Sequence, residues 1–272
     1  MNRTGIPGRF LLLMALLWLA SCTTVPITGR SQFNIVSDAS ITSLSLQQYQ
    51  EFLGQAKVSS DPARTAAVKK VGNRIRGAVE QYLTQNGMAE QIQGYQWEFN
   101  LVEDQQINAW AMPGGKVVVY SGLLPIVEDE AGLAVVIGHE VAHVIARHGN
   151  ERMSQELMRQ MGGIALSTAL ATQPGATREL GMQVFGLGSQ LGVMLPFSRL
   201  HEEEADRLGL IFMAMAGYDP QKAVVVWQRM AAQKGASTPE FLSTHPSDAT
   251  RIRNIQAFIP EARRYFRPAV IY

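Results

Sequence analysis

Apolar residues recur at helical spacing over most of the chain and alternate with polar residues only in its middle. From Asp38 to Lys57 an apolar side chain returns every three or four positions, which predicts an amphipathic helix. The same spacing predicts a second helix from Pro62 to Asn86, with Asp61 as its N-cap. Residues 23–37 follow neither period, and Pro26 and Gly29 favour turns, so we expect an irregular tether there.

Three short segments in the middle of the chain have the period of β-strands. Residues 97–102 alternate with period two, and extended segments are predicted at 107–112 and 116–120. The sequence Pro113-Gly114-Gly115 between the last two predicts a hairpin turn. The predicted sheet is therefore small.

The chain after Leu123 has the pattern of successive helices. The first is predicted from Glu128 to His148, with Gly149 as a left-handed residue that closes it, and Pro196 is expected to end a later one. These elements together predict an α+β fold that is mostly helical, with one domain over residues 38–272. The remaining predicted helices cover 151–172, 178–195, 200–216, 221–233 and 246–258.

Residues 161–195 are rich in methionine, glycine and leucine, and two interpretations fit them. They could lie at a membrane surface or line a flexible substrate groove. They could also be core helices, which we favour because their polar faces are not strongly basic.

Composition narrows the class of protein without identifying it. The chain has 272 residues, of which 46% are hydrophobic and 17% charged, which excludes wholesale disorder. No apolar run is long enough to cross a membrane as a helix. The net charge is +1, so we expect no nucleic-acid partner.

The N-terminus has the pattern of a bacterial lipoprotein signal. Arg3 and Arg9 precede an apolar run from Phe10 to Ala20, and the single cysteine, Cys22, follows Leu19-Ala20-Ser21. We therefore expect residues 1–21 to be a signal peptide and 22–37 a tether lipidated on Cys22, which anchors the chain to a membrane. An ordinary signal peptide with a buried cysteine is the alternative. Thr23 after the cysteine favours the periplasmic face of the outer membrane over the inner membrane.

The segment His139-Glu140-Val141-Ala142-His143 carries the clearest chemistry. Residues four apart lie on one face of a helix, so both imidazoles can reach one metal ion. Glu140 is placed to hold a metal-activated water and take its proton. A chance match is the alternative, but a buried helix with three such side chains requires a reason.

A hydrolytic zinc ion needs a third protein ligand, and the run Glu202-Glu203-Glu204 offers one. Glu202 and Asp206 share a helix face, so Glu202 could bind the metal while Asp206 holds a ligating histidine. The alternative is a solvated acidic patch. His201 is a weaker candidate ligand, because it lies off that face. We interpret His148 as a helix C-terminal residue that the dipole stabilises.

Four landmarks in this order resemble the HtpX-like and Oma-type zinc metallopeptidases, a family that includes CAAX prenyl endopeptidases. Together they span residues 100–251, and the signal sequence is similar to that of periplasmic lipoprotein members. The landmarks are Asn108-Ala-Trp-Ala-Met-Pro-Gly-Gly115, the HExxH segment, Ser198-Arg199 with Glu202-x-x-Ala205-Asp206, and His245-Pro246 with Arg251.

The resemblance implies a zincin-like fold with one Zn²⁺ per chain on His139, His143 and Glu202. Glu140 would be the general base and then the acid for the leaving amine, and Asp206 would support a ligand. His245 and Arg251 would complete the catalytic set, with His245 either stabilising the oxyanion or latching the open zinc position. An edge strand would bind extended substrate through Asn108, Ala109, Trp110, Ala111, Met112, Gly114 and Gly115.

The resemblance thus implies a zinc metalloendopeptidase of the bacterial envelope that cleaves misfolded or unassembled envelope polypeptides. Two other functions are open at this point. One is a periplasmic chaperone or assembly factor whose zinc site is latched. The other is a lipoprotein with a purely structural zinc ion.

Overall fold

The computed structural model describes residues 22–233, 239–246 and 249–268, so the predicted signal peptide lies outside the described residues. Two compact units form: the described part of Met1–Asp38 with Gly149–Leu195, and Ala39–His148 with Pro196–Tyr272. The strands are β1 (Cys22–Thr24), β2 (Ser31–Phe33), β3 (Glu98–Val102), β4 (Ala109–Met112) and β5 (Lys116–Tyr120). The α-helices of five or more residues are α1 (Asp38–Gln55), α2 (Pro62–Gln85), α3 (Glu130–Ile145), α4 (His148–Ala169), α5 (Gly175–Ser189), α6 (Leu195–Met215), α7 (Lys222–Ala232), α8 (Glu240–Thr244) and α9 (Ala249–Arg263).

The prediction of a mostly helical α+β fold with a small sheet is confirmed. The two predicted N-terminal helices are present, and Asp61 caps α2 by accepting a hydrogen bond from the Arg64 amide at 3.0 Å. Among the described residues, no helix combines the length and the apolar character needed to cross a membrane.

Two predicted helix ends were wrong. The helix α3 ends at Ile145, and the left-handed residue after it is Arg147, with φ 56°, rather than Gly149, which lies inside α4. Pro196 does not end a helix either. A π-helical turn at Gln190–Met194 leads from α5 into α6, and Pro196 lies in the first turn of α6, directly after this π-helical turn.

In the smaller unit, the segment predicted to be irregular forms an antiparallel hairpin of β1 and β2. The Val25 and Gly29 amides close its turn, and the left-handed Ile27 and Gly29 allow the chain to reverse. Arg30 forms a bidentate ion pair with the buried carboxylate of Glu151 at 2.7 and 2.9 Å. These contacts explain why an expected tether is ordered.

The helices α4 and α5 expose apolar side chains, so the prediction that residues 161–195 form core helices was wrong for their outer faces. Ile164 is 68% exposed and Leu187 is 65% exposed. Leu180, Val184 and Leu191 are also more than half exposed. Phe185, which lies near Gly162 and Gly163, provides packing between the two helices instead.

The larger unit has a three-stranded sheet with the order β3-β5-β4. The strands β4 and β5 form the predicted antiparallel hairpin, and Gly114 and Gly115 supply the positive φ angles of its turn. The strand β3 pairs with β5 in parallel. Every residue of β5 is buried, whereas β4 lies at an edge of the sheet and packs against α3.

The helices α3 and α6 approach each other closely at two glycines. A Cβ atom on Gly138 would lie 3.0 Å from the Gly209 carbonyl oxygen, and one on Gly209 would lie 2.9 Å from the His139 amide nitrogen. Only glycine leaves room for this backbone contact. The crossing places the polar residues of α3 beside those of α6, deep in the larger unit.

Candidate metal centre

Four side chains converge where α3, α6 and the residue after α8 meet. The Nε2 atoms of His139 and His143 lie 3.1 Å apart, and the Glu202 carboxylate lies 3.4 and 3.3 Å from them. The Nδ1 atom of His245 lies 3.2 Å from His139 Nε2 and 2.9 Å from Glu202 Oε2. One ligand atom from each residue lies within 4.8 Å of every other, so this group could hold a metal ion.

The donor set suits a borderline metal ion rather than calcium or magnesium. Three imidazole nitrogens and one carboxylate match the ligands of zinc sites, whereas hard cations take oxygen ligands almost exclusively. Burial alone would raise the pKa of Glu202, but the neighbouring histidines lower it below its usual range. The carboxylate is therefore ionised and ready to coordinate.

Glu140 lies beside this group with its carboxylate buried and only 4% of the residue exposed. Its Oε1 atom has no hydrogen-bond partner among the described residues, and His245 Nε2 lies 3.5 Å from it. Burial raises the pKa of Glu140, although His245 and His139 oppose this. A buried carboxylate oxygen without a hydrogen-bond partner is costly for a purely structural role and is typical of a group that handles protons.

A carboxylate directly supports His139. Asp206 Oδ1 lies 3.0 Å from His139 Nδ1, on the ring edge away from the other donors. Burial alone would lower the pKa of His139, but hydrogen bonds to Asp206 and Glu202 raise it to about 9. The structure therefore brings Asp206 into contact with His139. From the sequence, Asp206 was expected to hold a ligating histidine.

Arg251 joins Asp206 to Glu202 from α9. Its guanidinium donates to both Asp206 oxygens at 2.8 Å and lies 3.1 Å from Glu202 Oε2. It also stacks 3.5 Å from the centre of the Trp227 ring. Burial alone would raise the pKa of Asp206, but Arg251 and His139 lower it. Arg251 thus contacts two acids of the site.

A different set of residues supports His143. His148 Nδ1 lies 2.8 Å from His143 Nδ1, and His148 Nε2 lies 2.9 Å from Glu204 Oε2. The prediction that His148 is a helix C-terminal residue was wrong, because α3 ends before it and α4 begins with it. His201 stacks on the His148 ring at 4.2 Å and lies outside the four-residue group that could hold a metal.

The segment predicted to bind substrate lies at the sheet edge nearest the HExxH helix. Ala109–Met112 form β4, Gly114 and Gly115 form its turn, and the Asn108 carbonyl accepts a hydrogen bond from the Tyr120 amide. Ala109 is buried, while Trp110 packs edge-on against Phe52 of α1 at 5.0 Å.

Sequence reasoning missed three neighbours of the site. From the sequence, no role was assigned to Glu204 within the run of three glutamates. In the structure Glu204 is 5% exposed, whereas Glu203 faces solvent. Trp227 and Phe241 pack edge-on against the His139 ring at 5.5 and 6.5 Å. Their only sequence signal is an aromatic residue on an apolar helix, which ordinary core packing also produces.

The HExxH helix α3 is buried, and it crosses α6, which carries Glu202, beside a small sheet. This arrangement defines the class of protein as a zincin-like metallopeptidase. The chain belongs to peptidase family M48, which it matches over residues 70–259. It is therefore a metalloendopeptidase.

Relatives come from mitochondria and from bacteria. The mitochondrial metalloendopeptidase OMA1 of Schizosaccharomyces pombe is 36% identical over 244 residues, which cover 88% of this chain and 67% of that protein. The human mitochondrial metalloendopeptidase OMA1 is 30% identical over 264 residues, 93% of this chain and 49% of that protein. The beta-barrel assembly-enhancing protease of Escherichia coli is 28% identical over 241 residues, 85% of this chain and 46% of that protein.

Proposed function

We propose that the chain is a zinc-dependent endopeptidase whose metal ligands are His139, His143 and Glu202. The observation that carries this proposal is the convergence of their donor atoms beside the buried Glu140 carboxylate. Zinc held there would polarise a substrate carbonyl and lower the pKa of an attacking water.

Glu140 performs the proton transfers of this proposed reaction. Its raised pKa lets the carboxylate take a proton from the attacking water and then give it to the leaving amine. Asp206 accepts the Nδ1–H of His139 and fixes that ring, and Arg251 holds Asp206 and Glu202 in place. Arg251 acts here as a positioning residue.

The substrate is an extended polypeptide. Because β4 lies at a sheet edge and packs against the HExxH helix, an unfolded segment can add to it as a strand close to Glu140. A folded protein cannot donate such a strand. The proposed setting is the periplasmic face of the outer membrane, with Cys22 lipidated and misfolded or unassembled envelope proteins as substrates. The Escherichia coli relative, which is named a beta-barrel assembly-enhancing protease, supports this setting.

The test of this function compares the full-length protein in detergent with Glu140→Gln. We expect one zinc per chain in both proteins and casein cleavage reduced at least about a thousandfold in the variant, since removing the base removes the proton transfer. Cleavage that survives in Glu140→Gln would exclude the mechanism. Zinc absent from both proteins would exclude the metal site.

A latched resting form is the second candidate, and the position of His245 favours it. Its Nδ1 atom lies among the donors as a fourth ligand would, and a four-ligand site has no open position for water. We expect His245→Ala to cleave casein severalfold faster than wild type while it retains zinc. Lower activity at unchanged zinc content would instead identify His245 as the residue that stabilises the oxyanion.

A further inference from the structure

The chain turns immediately after the HExxH helix, and this turn brings a third histidine against the second one. Ala146 and Arg147 form the turn, and Arg147 adopts the left-handed conformation, which is uncommon for a residue other than glycine. His148 therefore starts α4 with its ring against His143, and the two Nδ1 atoms are 2.8 Å apart.

The positions of the ring nitrogens determine where the hydrogens lie, given the proposed ligand role of His143. Its Nε2 atom faces His139 and Glu202, so a metal bound there leaves the hydrogen on Nδ1. That hydrogen needs an acceptor, and His148 Nδ1 is in place to accept it. His148 must then carry its own hydrogen on Nε2, which donates to Glu204 Oε2 at 2.9 Å.

The surroundings hold this chain of hydrogen bonds in one orientation. His148 is fully buried and Glu204 is 5% exposed. The His201 ring lies parallel to His148, with 17° between the ring planes, and limits its rotation. Helices α3, α4 and α6 thus each contribute one group to the arrangement.

We infer that His148 is a positioning residue of the metal centre: it accepts the Nδ1–H of His143, and Glu204 sets its tautomer. His143 is thereby presented to the metal with Nε2 free and its ring fixed. This role depends on the proposed function, because it requires His143 to bind metal. It adds to the site two side chains that neither contact the metal nor reach the substrate.

Two amide variants of His148 distinguish the loss of the hydrogen-bond acceptor from the loss of the rest of the imidazole ring. In His148→Asn the amide oxygen takes the place of Nδ1 and can still accept from His143. In His148→Gln the amide takes the place of Nε2, so contact with Glu204 remains while His143 loses its acceptor. Zinc affinity of the full-length proteins is measured by competition with a chromophoric chelator. We expect a loss of about 10- to 100-fold for Gln, and a value within about threefold of wild type for Asn.

Either of two results would overturn the inference. Wild-type affinity in His148→Gln would show that the acceptor is unimportant. Equal losses in Asn and Gln, with equal melting temperatures for the metal-free proteins, would show that only the imidazole ring matters. A wild-type protein that binds no zinc would instead overturn the proposed function.

A measurement on the unmodified protein covers the case in which a variant does not fold. The chain has only five histidines, which makes ¹⁵N-histidine NMR of the zinc-loaded protein tractable. We expect the Nδ1–H tautomer for His143 and the Nε2–H tautomer for His148. The opposite tautomer on His148 would contradict the proposed hydrogen-bond chain.

Discussion

The two histidines of the HExxH helix face the same donor group but rest on different supports. His139 contacts the charged carboxylate of Asp206 directly, at 3.0 Å, and Arg251 holds that carboxylate by two hydrogen bonds. His143 contacts the imidazole of His148 first, and the Glu204 carboxylate lies one step further away. The same kind of side chain thus contacts a carboxylate in one case and an imidazole in the other, and this imidazole is neutral in the hydrogen-bond chain proposed above.

The difference is visible in the electrostatics of the two rings. Hydrogen bonds to carboxylates outweigh burial at His139 and raise its pKa to about 9. At His143 burial dominates and lowers the pKa well below its usual value, in spite of Glu202. A charged support makes a ligand nitrogen more basic, whereas a neutral one mainly fixes the ring orientation. The supports are therefore expected to differ in energy, and the following variants measure that difference.

Of the carboxylate-to-amide changes at the two supports, Asp206→Asn is expected to have the larger effect. The amide can still accept one hydrogen bond from His139, but it removes the charge that Arg251 faces in a buried position. We expect zinc affinity to fall about 10- to 100-fold. We also expect the metal-free protein to lose about 3 kcal/mol of unfolding free energy, since a buried ion pair is broken. Chelator competition and denaturant unfolding measure the two quantities.

Glu261→Gln is the matched control for this variant. Glu261 forms a bidentate pair with Arg207, the residue after Asp206, but about a third of each side chain is exposed. The same carboxylate-to-amide change there should cost at most about 1 kcal/mol and leave zinc affinity unchanged. If both variants behave alike, Asp206 does not act on the metal centre through its charge.

Much of the larger unit follows from patterns in the sequence. Helical period predicted α1 and α2, alternation predicted β3, and Pro113-Gly114-Gly115 predicted the hairpin of β4 and β5. The ends of α3 could not be predicted in the same way, because Arg147 has no intrinsic preference for the left-handed conformation and tertiary contacts decide it. The order of the strands likewise depends on packing between segments distant in sequence.

The candidate site also has one part that could be predicted from the sequence and one that could not. Spacing of four residues on a helix placed His139 with His143 and Glu202 with Asp206, because that relation depends only on local geometry. The contacts of His148 and Glu204 depend on the turn at residues 146–147 and on the crossing of α3 and α6 at Gly138 and Gly209. No local period encodes such contacts, and so the support of His143 was not foreseen.

The smaller effect is expected for Glu204→Gln, which tests how far the comparison extends. The amide oxygen can still accept from His148 Nε2, so the hydrogen bond is kept and only its charge is lost. Charged hydrogen bonds contribute about 1 kcal/mol more than neutral ones, which corresponds to about a fivefold loss of zinc affinity. Glu203→Gln changes the exposed neighbour and should leave the affinity at the wild-type value. A loss of zinc affinity in Glu204→Gln as large as that in Asp206→Asn would contradict this expectation. The carboxylate charge of Glu204 would then affect His143 as strongly as the charge of Asp206 affects His139, even though the ring of His148 lies between Glu204 and His143.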